Sequence, residues 1–201
     1  MFGTLRAGSG RTKLHDPADQ FQERLEIETL EVETLDICEQ SQVVALKQHL
    51  SGRVFDMLFV NAGTTNDQTE TIENVTTDEF VRVMVTNALC PMRVVEQDLV
   101  SANGLIGVMS SGQGSIANNL TGMREVYHGS KAALNQLMRS YAARYSGTSR
   151  AMVLMAPGWV RTEMGGPDAL LSINESVPNL VNVLLNKQGK AGLEYLEALA
   201  G

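Results

Sequence analysis

Short, almost continuously apolar runs alternate with longer helical patterns along this chain. Continuous apolar runs of about four to eight residues are typical of strands that are buried on both faces. The predicted strands are residues 1–6, 31–36, 53–60, 105–109 and 151–155, with 193–196 as a candidate for the last one. Strands of this kind, separated by helices, predict an α/β fold with a doubly wound parallel sheet that helices cover on both faces.

The segments between these runs supply the helices and loops of the prediction. The predicted helices are residues 17–25, 41–50, a helix that opens at Thr76, 127–145 and 178–186. Residues 64–74 are polar and predict a loop. Residues 163–177 are rich in Gly, Pro, Asn and Ser, which predicts a mobile loop.

Two features mark the helix that opens at Thr76. Thr76 and Glu79 have the spacing of a capping box, with Thr76 as the N-cap. Further along, Pro91 lies inside the helix and cannot donate a hydrogen bond to the carbonyl of Asn87. That carbonyl is then open to a water molecule or a side chain, unless Pro91 only produces a kink in a packed helix.

Length, charge and cysteine content exclude several classes of protein. A chain of 201 residues that is 43% hydrophobic and 19% charged predicts a single globular domain over residues 1–201. A net charge of −7 argues against a nucleic-acid or anionic-membrane surface. No membrane-spanning run, secretory signal or metal-binding cluster is recognisable, and Cys38 and Cys90 are predicted to be reduced thiols. A cytoplasmic location is the default expectation.

Residues 110–131 carry the strongest chemical signal. Ser110 and Ser111 end the strand at 105–109, and their hydroxyls could hold a carbonyl oxygen. Tyr127 and Lys131 are four residues apart, so they share one face of the following helix. A neighbouring ammonium favours the phenolate and lowers the pKa of a tyrosine, which suits proton transfer to or from an oxygen. The alternative is a solvated or packing pair, which many helices carry.

Six motifs in this order resemble the short-chain dehydrogenase/reductase family. They span roughly residues 30–165 and are Asp36, Asn61-Ala62-Gly63, Asn87, Ser110-Ser111, Tyr127 with Lys131, and Pro157-Gly158 with Thr162. The wording of residues 110–116 is similar to the branch that contains carbonyl reductases and C-factor-like proteins. The resemblance implies a Rossmann-like sheet that binds NAD(H) or NADP(H) at the carboxyl ends of its strands.

The resemblance also implies a catalytic role for four positions. Ser111 would hold the substrate oxygen, with Ser110 as the fallback. Tyr127 would be the acid-base group, and Lys131 would bind the nicotinamide ribose and lower the pKa of Tyr127. Asn87 would hold a relay water through the carbonyl that Pro91 frees. No metal is implied.

The implied cofactor contacts extend along the chain. They are Arg6, Asp36, Ile37, Asn61, Ala62, Gly63, Tyr127, Lys131, Pro157, Gly158, Val160 and Thr162. Asp36 would contact the adenine, residues 61–63 would pass the adenosine ribose, and Val160 and Thr162 would meet the carboxamide. Arg6 lies where the family often places a base for the 2′-phosphate. NADP(H) is therefore favoured over NAD(H), although Arg6 could instead be a solvated strand-end residue.

Substrate and assembly are less specified. Residues 112–126 and 163–177 would wall the substrate pocket, and their apolar side chains predict a small apolar carbonyl or alcohol. In the family, the helices around residues 78–99 and 127–145 form subunit contacts, so a homodimer or homotetramer is expected.

The beginning of the chain departs from the family pattern. The family starts with a strand and a TGxxxGxG turn, whose backbone N–H groups hold the pyrophosphate. In this chain the glycines at positions 3, 8 and 10 have a different spacing, and no strand precedes them. Residues 1–6 are therefore predicted to be the family's second strand, with the first βα unit missing and two strand edges left unpaired.

Three functional hypotheses follow from these observations. The first is an NADP(H)-dependent oxidoreductase whose chain is a shortened version of a normal enzyme, because the catalytic residues are all present. The alternative is a non-catalytic relative, an impaired remnant that keeps the fold for protein interaction or regulation. The third is a doubly wound domain of another type, in which Tyr127 and Lys131 merely pack.

Overall fold

A computed structural model describes residues 2–6, 31–120 and 122–197 of the protein. The chain forms two compact units, Met1–Ser51 and Gly52–Gly201. The helix predicted at residues 17–25 lies outside the described residues. The prediction of one domain over residues 1–201 stays a prediction.

The first unit contains two parallel strands and one helix. Strand β1 (Phe2–Leu5) pairs with strand β2 (Glu31–Thr34), with Phe2 opposite Glu31, and helix α1 spans Gln40–His49. Strand β2 ends two residues earlier than predicted. The Asp36 carboxylate accepts a hydrogen bond of 2.9 Å from the Cys38 N–H, and this local turn competes with the strand ladder.

The second unit is built on four parallel strands in the order β3-β4-β5-β6. Its elements are β3 (Phe55–Val60), α2 (Thr77–Met84), α3 (Cys90–Val95), β4 (Val100–Met109), α4 (Glu125–Arg144), β5 (Ala151–Ala156), α5 (Ile173–Lys187) and β6 (Gly192–Glu197). Strands and helices alternate as the apolar runs predicted, and the candidate last strand at residues 193–196 is confirmed within β6. In the described residues, β1 pairs only with β2, and β3 only with β4, so each has one edge without a partner strand.

Helices cover both faces of the central strand β5, all of whose residues are buried. Because successive side chains of a strand point to opposite faces, β5 contributes to two cores. Ala151, Val153 and Met155 pack with Leu180 and Leu184 of α5. The alternate residues of β5 lie on the face that α4 covers. The sheet therefore lies between a layer that contains α4 and a layer that contains α5.

The region around Pro91 contains a π-helical turn, Val85–Leu89, that joins α2 to α3. The sequence predicted one helix with a proline inside it. The structure instead places Pro91 in the first turn of α3, where a missing N–H is well tolerated. At the start of α2, the Thr76 hydroxyl accepts a hydrogen bond from the Glu79 N–H at 3.2 Å, which confirms Thr76 as the N-cap but supplies only one half of the predicted capping box. The Glu79 carboxylate binds Arg82 at 2.6 and 2.7 Å.

Helix α5 begins five residues earlier than predicted, so the expectation of a mobile loop over residues 173–177 is wrong. Ser172 is its N-cap and forms a complete capping box with Glu175, a signal that the Gly- and Pro-rich composition of this region obscured. Pro178 lies inside the helix and removes one hydrogen-bond donor.

No helix in the described part of the chain is long and apolar enough to cross a membrane.

Candidate active site

Tyr127 and Lys131 lie on one face of the first two turns of α4. Both side chains are buried, with 8% and 3% of their surface exposed. The Lys131 Nζ lies 5.9 Å from the centre of the Tyr127 ring and donates a hydrogen bond of 3.0 Å to the Met109 carbonyl at the end of β4. The helix therefore places a phenol and an ammonium together at the carboxyl end of the sheet.

The two serines after β4 have different environments. The Ser110 hydroxyl is buried and donates a hydrogen bond of 2.6 Å to Asn135 Oδ1. Ser111 is partly exposed and caps the short helical turn Gly112–Gly114, and its hydroxyl lies close enough to Tyr127 to lower the pKa of the phenol. Of the two hydroxyls that the sequence offered, the structure brings Ser111 to Tyr127 and commits Ser110 to Asn135.

Burial dominates the electrostatics of the pair. It raises the pKa of Tyr127, and the neighbouring Ser111 hydroxyl and the positive charge of Arg124 only partly oppose that rise. Burial also lowers the pKa of Lys131 to about 8. The predicted lowering of the Tyr127 pKa is thus wrong, because the cost of removing the phenolate from water exceeds the stabilisation that Ser111 and Arg124 contribute.

Arg124 is a site residue that sequence reasoning missed. It precedes α4 in the left-handed backbone conformation, with φ 58°, which is uncommon for a residue with a side chain. Its guanidinium carbon lies 4.7 Å from the Tyr127 ring centre, within cation–π distance, and its Nη2 lies 3.4 Å from Thr65 Oγ1. The Nε is buried without a hydrogen-bond partner. In the sequence, the position of a cationic residue three residues before Tyr127 was the feature that could have indicated this contact.

Asn87 is the centre of a buried hydrogen-bond network. Its side-chain oxygen accepts from the Thr64 N–H at 2.7 Å, and its amide nitrogen donates to the Thr64 carbonyl at 2.8 Å and to Ser130 Oγ at 2.9 Å. Ser130 in turn donates to the Tyr127 carbonyl at 2.7 Å. The sequence predicted a role for the Asn87 backbone carbonyl, whereas the side chain is what joins the segment after β3 to the start of α4.

The motif Asn61-Ala62-Gly63 follows β3 and is exposed. A Cβ atom on Gly63 would lie 3.4 Å from Asn87 Oδ1 and 3.5 Å from Lys131 Nζ. A glycine here therefore keeps the backbone accessible beside the Lys131 ammonium. The predicted cofactor motif after β3 thus lies beside the predicted catalytic lysine.

The predicted cofactor residues after β5 lie in a loop that is stabilised by internal hydrogen bonds. Pro157, Gly158, Val160 and Thr162 all fall within it, and Val160 forms a bridge with Leu171. Thr162 Oγ1 accepts a hydrogen bond of 3.1 Å from the Gly165 N–H. A Cβ atom on Gly165 would lie 2.0 Å from the Val160 carbonyl oxygen, so the turn requires glycine at that position.

The other three predicted cofactor residues belong to the first unit. Arg6 is exposed and follows β1, and Asp36 lies in the turn after β2. The Ile37 side chain is buried in the core of that unit, so its backbone is the part that a cofactor could meet. Among the described residues, no group of three or more His, Cys, Asp or Glu side chains is placed to hold a metal ion.

The buried ammonium of Lys131 predicts a pH dependence of stability. Its folded-state pKa, about 8, lies below the ordinary 10.5, so between these values the folded chain binds fewer protons than the unfolded chain. The contribution of Lys131 to stability should then increase with pH by about 2 kcal/mol between pH 7.5 and 9.5. Urea unfolding at the two pH values tests this. In Lys131→Met the increase should be absent, and an equal increase in that variant would contradict the assignment.

Comparisons with known proteins identify the family. The family described as short chain dehydrogenase matches residues 5–169 of the chain. The C-signal protein of Myxococcus xanthus is 37% identical over 110 residues, which are 53% of this chain and 66% of that relative. The match thus spans less than two thirds of the relative's length.

Solved structures resemble the protein over nearly all of its length. A short-chain dehydrogenase/reductase from Burkholderia multivorans with bound NADP is 64% identical, with a TM-score of 0.92. A carbonyl reductase from Pseudomonas aeruginosa PAO1 in complex with NADP is 31% identical, with a TM-score of 0.85. Both similarities cover 98% of this chain and 84% of the other. The chain belongs to the short-chain dehydrogenase family.

Proposed function

We propose that the protein is an NADP(H)-dependent oxidoreductase that interconverts a carbonyl and an alcohol at Ser111, Tyr127 and Lys131. The observation that carries the proposal is the meeting of these three side chains at the carboxyl end of β4, where Ser111 lies close enough to Tyr127 to lower the pKa of its phenol and Lys131 lies 5.9 Å from the centre of the Tyr127 ring. A hydroxyl, a phenol and an ammonium in this arrangement can bind an oxygen atom and exchange a proton with it.

The residues of the second unit fit the nicotinamide end of a dinucleotide. Lys131 offers an ammonium beside Gly63, whose missing side chain leaves room for a ribose to approach. The loop that contains Val160 and Thr162 would meet the carboxamide. Two relatives that bind NADP, and the exposed Arg6 after β1, support NADP(H) over NAD(H).

The proton chemistry belongs to the chain itself. Ser111 orients the substrate oxygen by donating a hydrogen bond, and the Tyr127 hydroxyl gives its proton to that oxygen during reduction. Because burial keeps Tyr127 protonated, the phenol is ready as an acid before substrate binds. Lys131 and Arg124 stabilise the phenolate that results, and a water held near Asn87 would return the proton. When bound, the nicotinamide supplies the hydride in reduction and accepts it in oxidation.

The loops at residues 112–126 and 163–177 would shape the substrate pocket. Ile116, Leu120 and Leu170 are 85%, 90% and 76% exposed, so these loops present apolar surface for a small carbonyl or alcohol compound. A homodimer or homotetramer through α2–α3 and α4 is the assembly we propose, and exposed Phe80, Val81 and Leu137 on these helices support it. The cytoplasmic location stays a prediction.

The test compares two neighbouring serines. With NADPH and a panel of small ketones and aldehydes, Ser111→Ala should lower kcat/KM by about 100-fold, because a hydrogen-bond donor to the substrate oxygen is lost. Ser110→Ala should keep turnover and lose about 1 kcal/mol of stability, because its hydroxyl binds Asn135. Loss of NADPH absorbance measures turnover, and urea unfolding measures stability.

Two results would count against the proposal. Equal turnover in Ser111→Ala and the parent protein would remove Ser111 from the site. A folded protein that does not change NADPH fluorescence would instead support the non-catalytic alternative, in which the fold serves interaction or regulation.

A further inference from the structure

Tyr195 and Glu197 of β6 lie on the side of the sheet that faces α4. The alternation of the strand shows this, because Glu194 and Leu196 point the other way. Leu196 packs against the core that α5 covers, and Glu194 accepts a hydrogen bond of 2.9 Å from Lys187 of α5. Tyr195 and Glu197 therefore project to the face that carries Tyr127.

These two residues also lie at the carboxyl end of the sheet, where Ser111 and Tyr127 are. Glu197 pairs in register with Ala156, the last residue of β5. Its carboxylate oxygen lies 3.7 Å from the position that a Cβ atom on Gly112 would take. Gly112 directly follows Ser111 in the chain. The Glu197 carboxylate therefore lies beside the residue next to the proposed substrate-orienting hydroxyl.

Tyr195 interacts electrostatically with both Glu197 and Tyr127. Burial raises the pKa of Tyr195 to about 12, and electrostatic interactions with the Glu197 carboxylate and with Tyr127 add to that rise. Tyr195 is 40% exposed and stays a neutral hydrogen-bond donor across the working pH range. Within the described part of the chain, Glu197 forms no ion pair with a cation. The exposed Glu197 carboxylate beside the site can therefore form an ion pair with a cationic group of a ligand.

We propose that Tyr195 and Glu197 form a polar recognition site for a substrate that carries a protonated amine, so that the enzyme prefers amino ketones over apolar ketones of the same shape. This inference rests on the proposed function for the position of the reacting carbonyl. In it, the carbonyl binds Ser111 and Tyr127, the ammonium binds the Glu197 carboxylate, and Tyr195 lines the surface between them. It departs from the small apolar substrate that the loop composition predicts, because part of the ligand would carry a positive charge.

The test uses two ketones of matched shape, 1-methylpiperidin-4-one and 4-methylcyclohexanone. Their dissociation constants are measured by ligand-observed NMR, with and without NADP⁺, so that binding is read without turnover. The protein should bind the amine about three- to fivefold more tightly, as expected for a partly exposed ion pair. Glu197→Gln should remove the preference, and Tyr195→Phe should reduce it.

Glu194→Gln is the matched control, because it removes the same charge from the same strand on the opposite face. It should keep the preference, and urea unfolding reports separately on the loss of its contact with Lys187. Equal affinity of the parent protein for both ketones, or a preference that survives in Glu197→Gln, would overturn the inference. A preference without any NADPH-dependent turnover would leave the recognition site standing and would defeat the proposed reaction.

Discussion

Tyr127→Phe is expected to lower kcat for ketone reduction by roughly 10³-fold, because the variant has no hydroxyl to give a proton to the substrate oxygen. The ring remains, so its contact with Arg124 at 4.7 Å and the packing of the first turns of α4 should persist. Binding of NADPH, measured by its fluorescence, and the urea midpoint should therefore change little. The effect would appear in kcat and kcat/KM together, as for an interaction made in the transition state.

A second tyrosine provides the control for this experiment. Tyr145 lies directly after the other end of α4, and Tyr145→Phe makes the same chemical change there. It should leave the turnover of the ketone unchanged. Undiminished turnover in Tyr127→Phe would show that another group supplies the proton, and the proposed reaction at this site would have to be abandoned.

Asn87→Leu is expected to destabilise the folded protein by about 3 kcal/mol or more. The substitution removes the partner of the half-buried Thr64 N–H and carbonyl, and it removes one of the two partners of the buried Ser130 hydroxyl, which still donates to the Tyr127 carbonyl. Each unsatisfied buried polar group costs about 1–3 kcal/mol, and the Asn87 position is fully buried, so water cannot readily replace the amide. Urea unfolding followed by circular dichroism measures the loss.

Asn179→Leu serves as the comparison for the buried asparagine. Asn179 lies on α5, and its amide donates an exposed hydrogen bond of 3.2 Å to the Glu175 carbonyl. This change should alter stability by about 0.5 kcal/mol or less, as for most surface substitutions. If Asn87→Leu cost no more than Asn179→Leu, the network would have no structural importance.

The alternation of strands and helices was predictable because burial on both faces leaves a mark in the sequence itself. The runs at 53–60, 105–109 and 151–155 have few polar residues, and all three are strands of the four-stranded sheet. The shared face of Tyr127 and Lys131 was predictable because it depends only on helical spacing. The start of α5 was not, because the capping residues Ser172 and Glu175 lie in a segment whose composition resembles a loop.

Properties that depend on the surroundings of a side chain could not be predicted in this way. The direction of the Tyr127 pKa shift depends on how much water the folded chain removes from the phenol, and spacing along a helix carries no such information. Arg124 reaches Tyr127 only through its left-handed backbone conformation. The position of Glu197 beside Gly112 depends on the register of β6, which pairs residues far apart in the chain.

The continuous series of hydrogen bonds from Thr64 through Asn87 and Ser130 to the Tyr127 carbonyl couples two parts of the molecule mechanically. A displacement of the backbone after β3 has to move the opening turn of α4 as well, or break a bond inside the protein. The spatial relation between the surface beside Gly63 and the Tyr127 phenol is therefore maintained by one asparagine, and tolerance to sequence change should be lowest there.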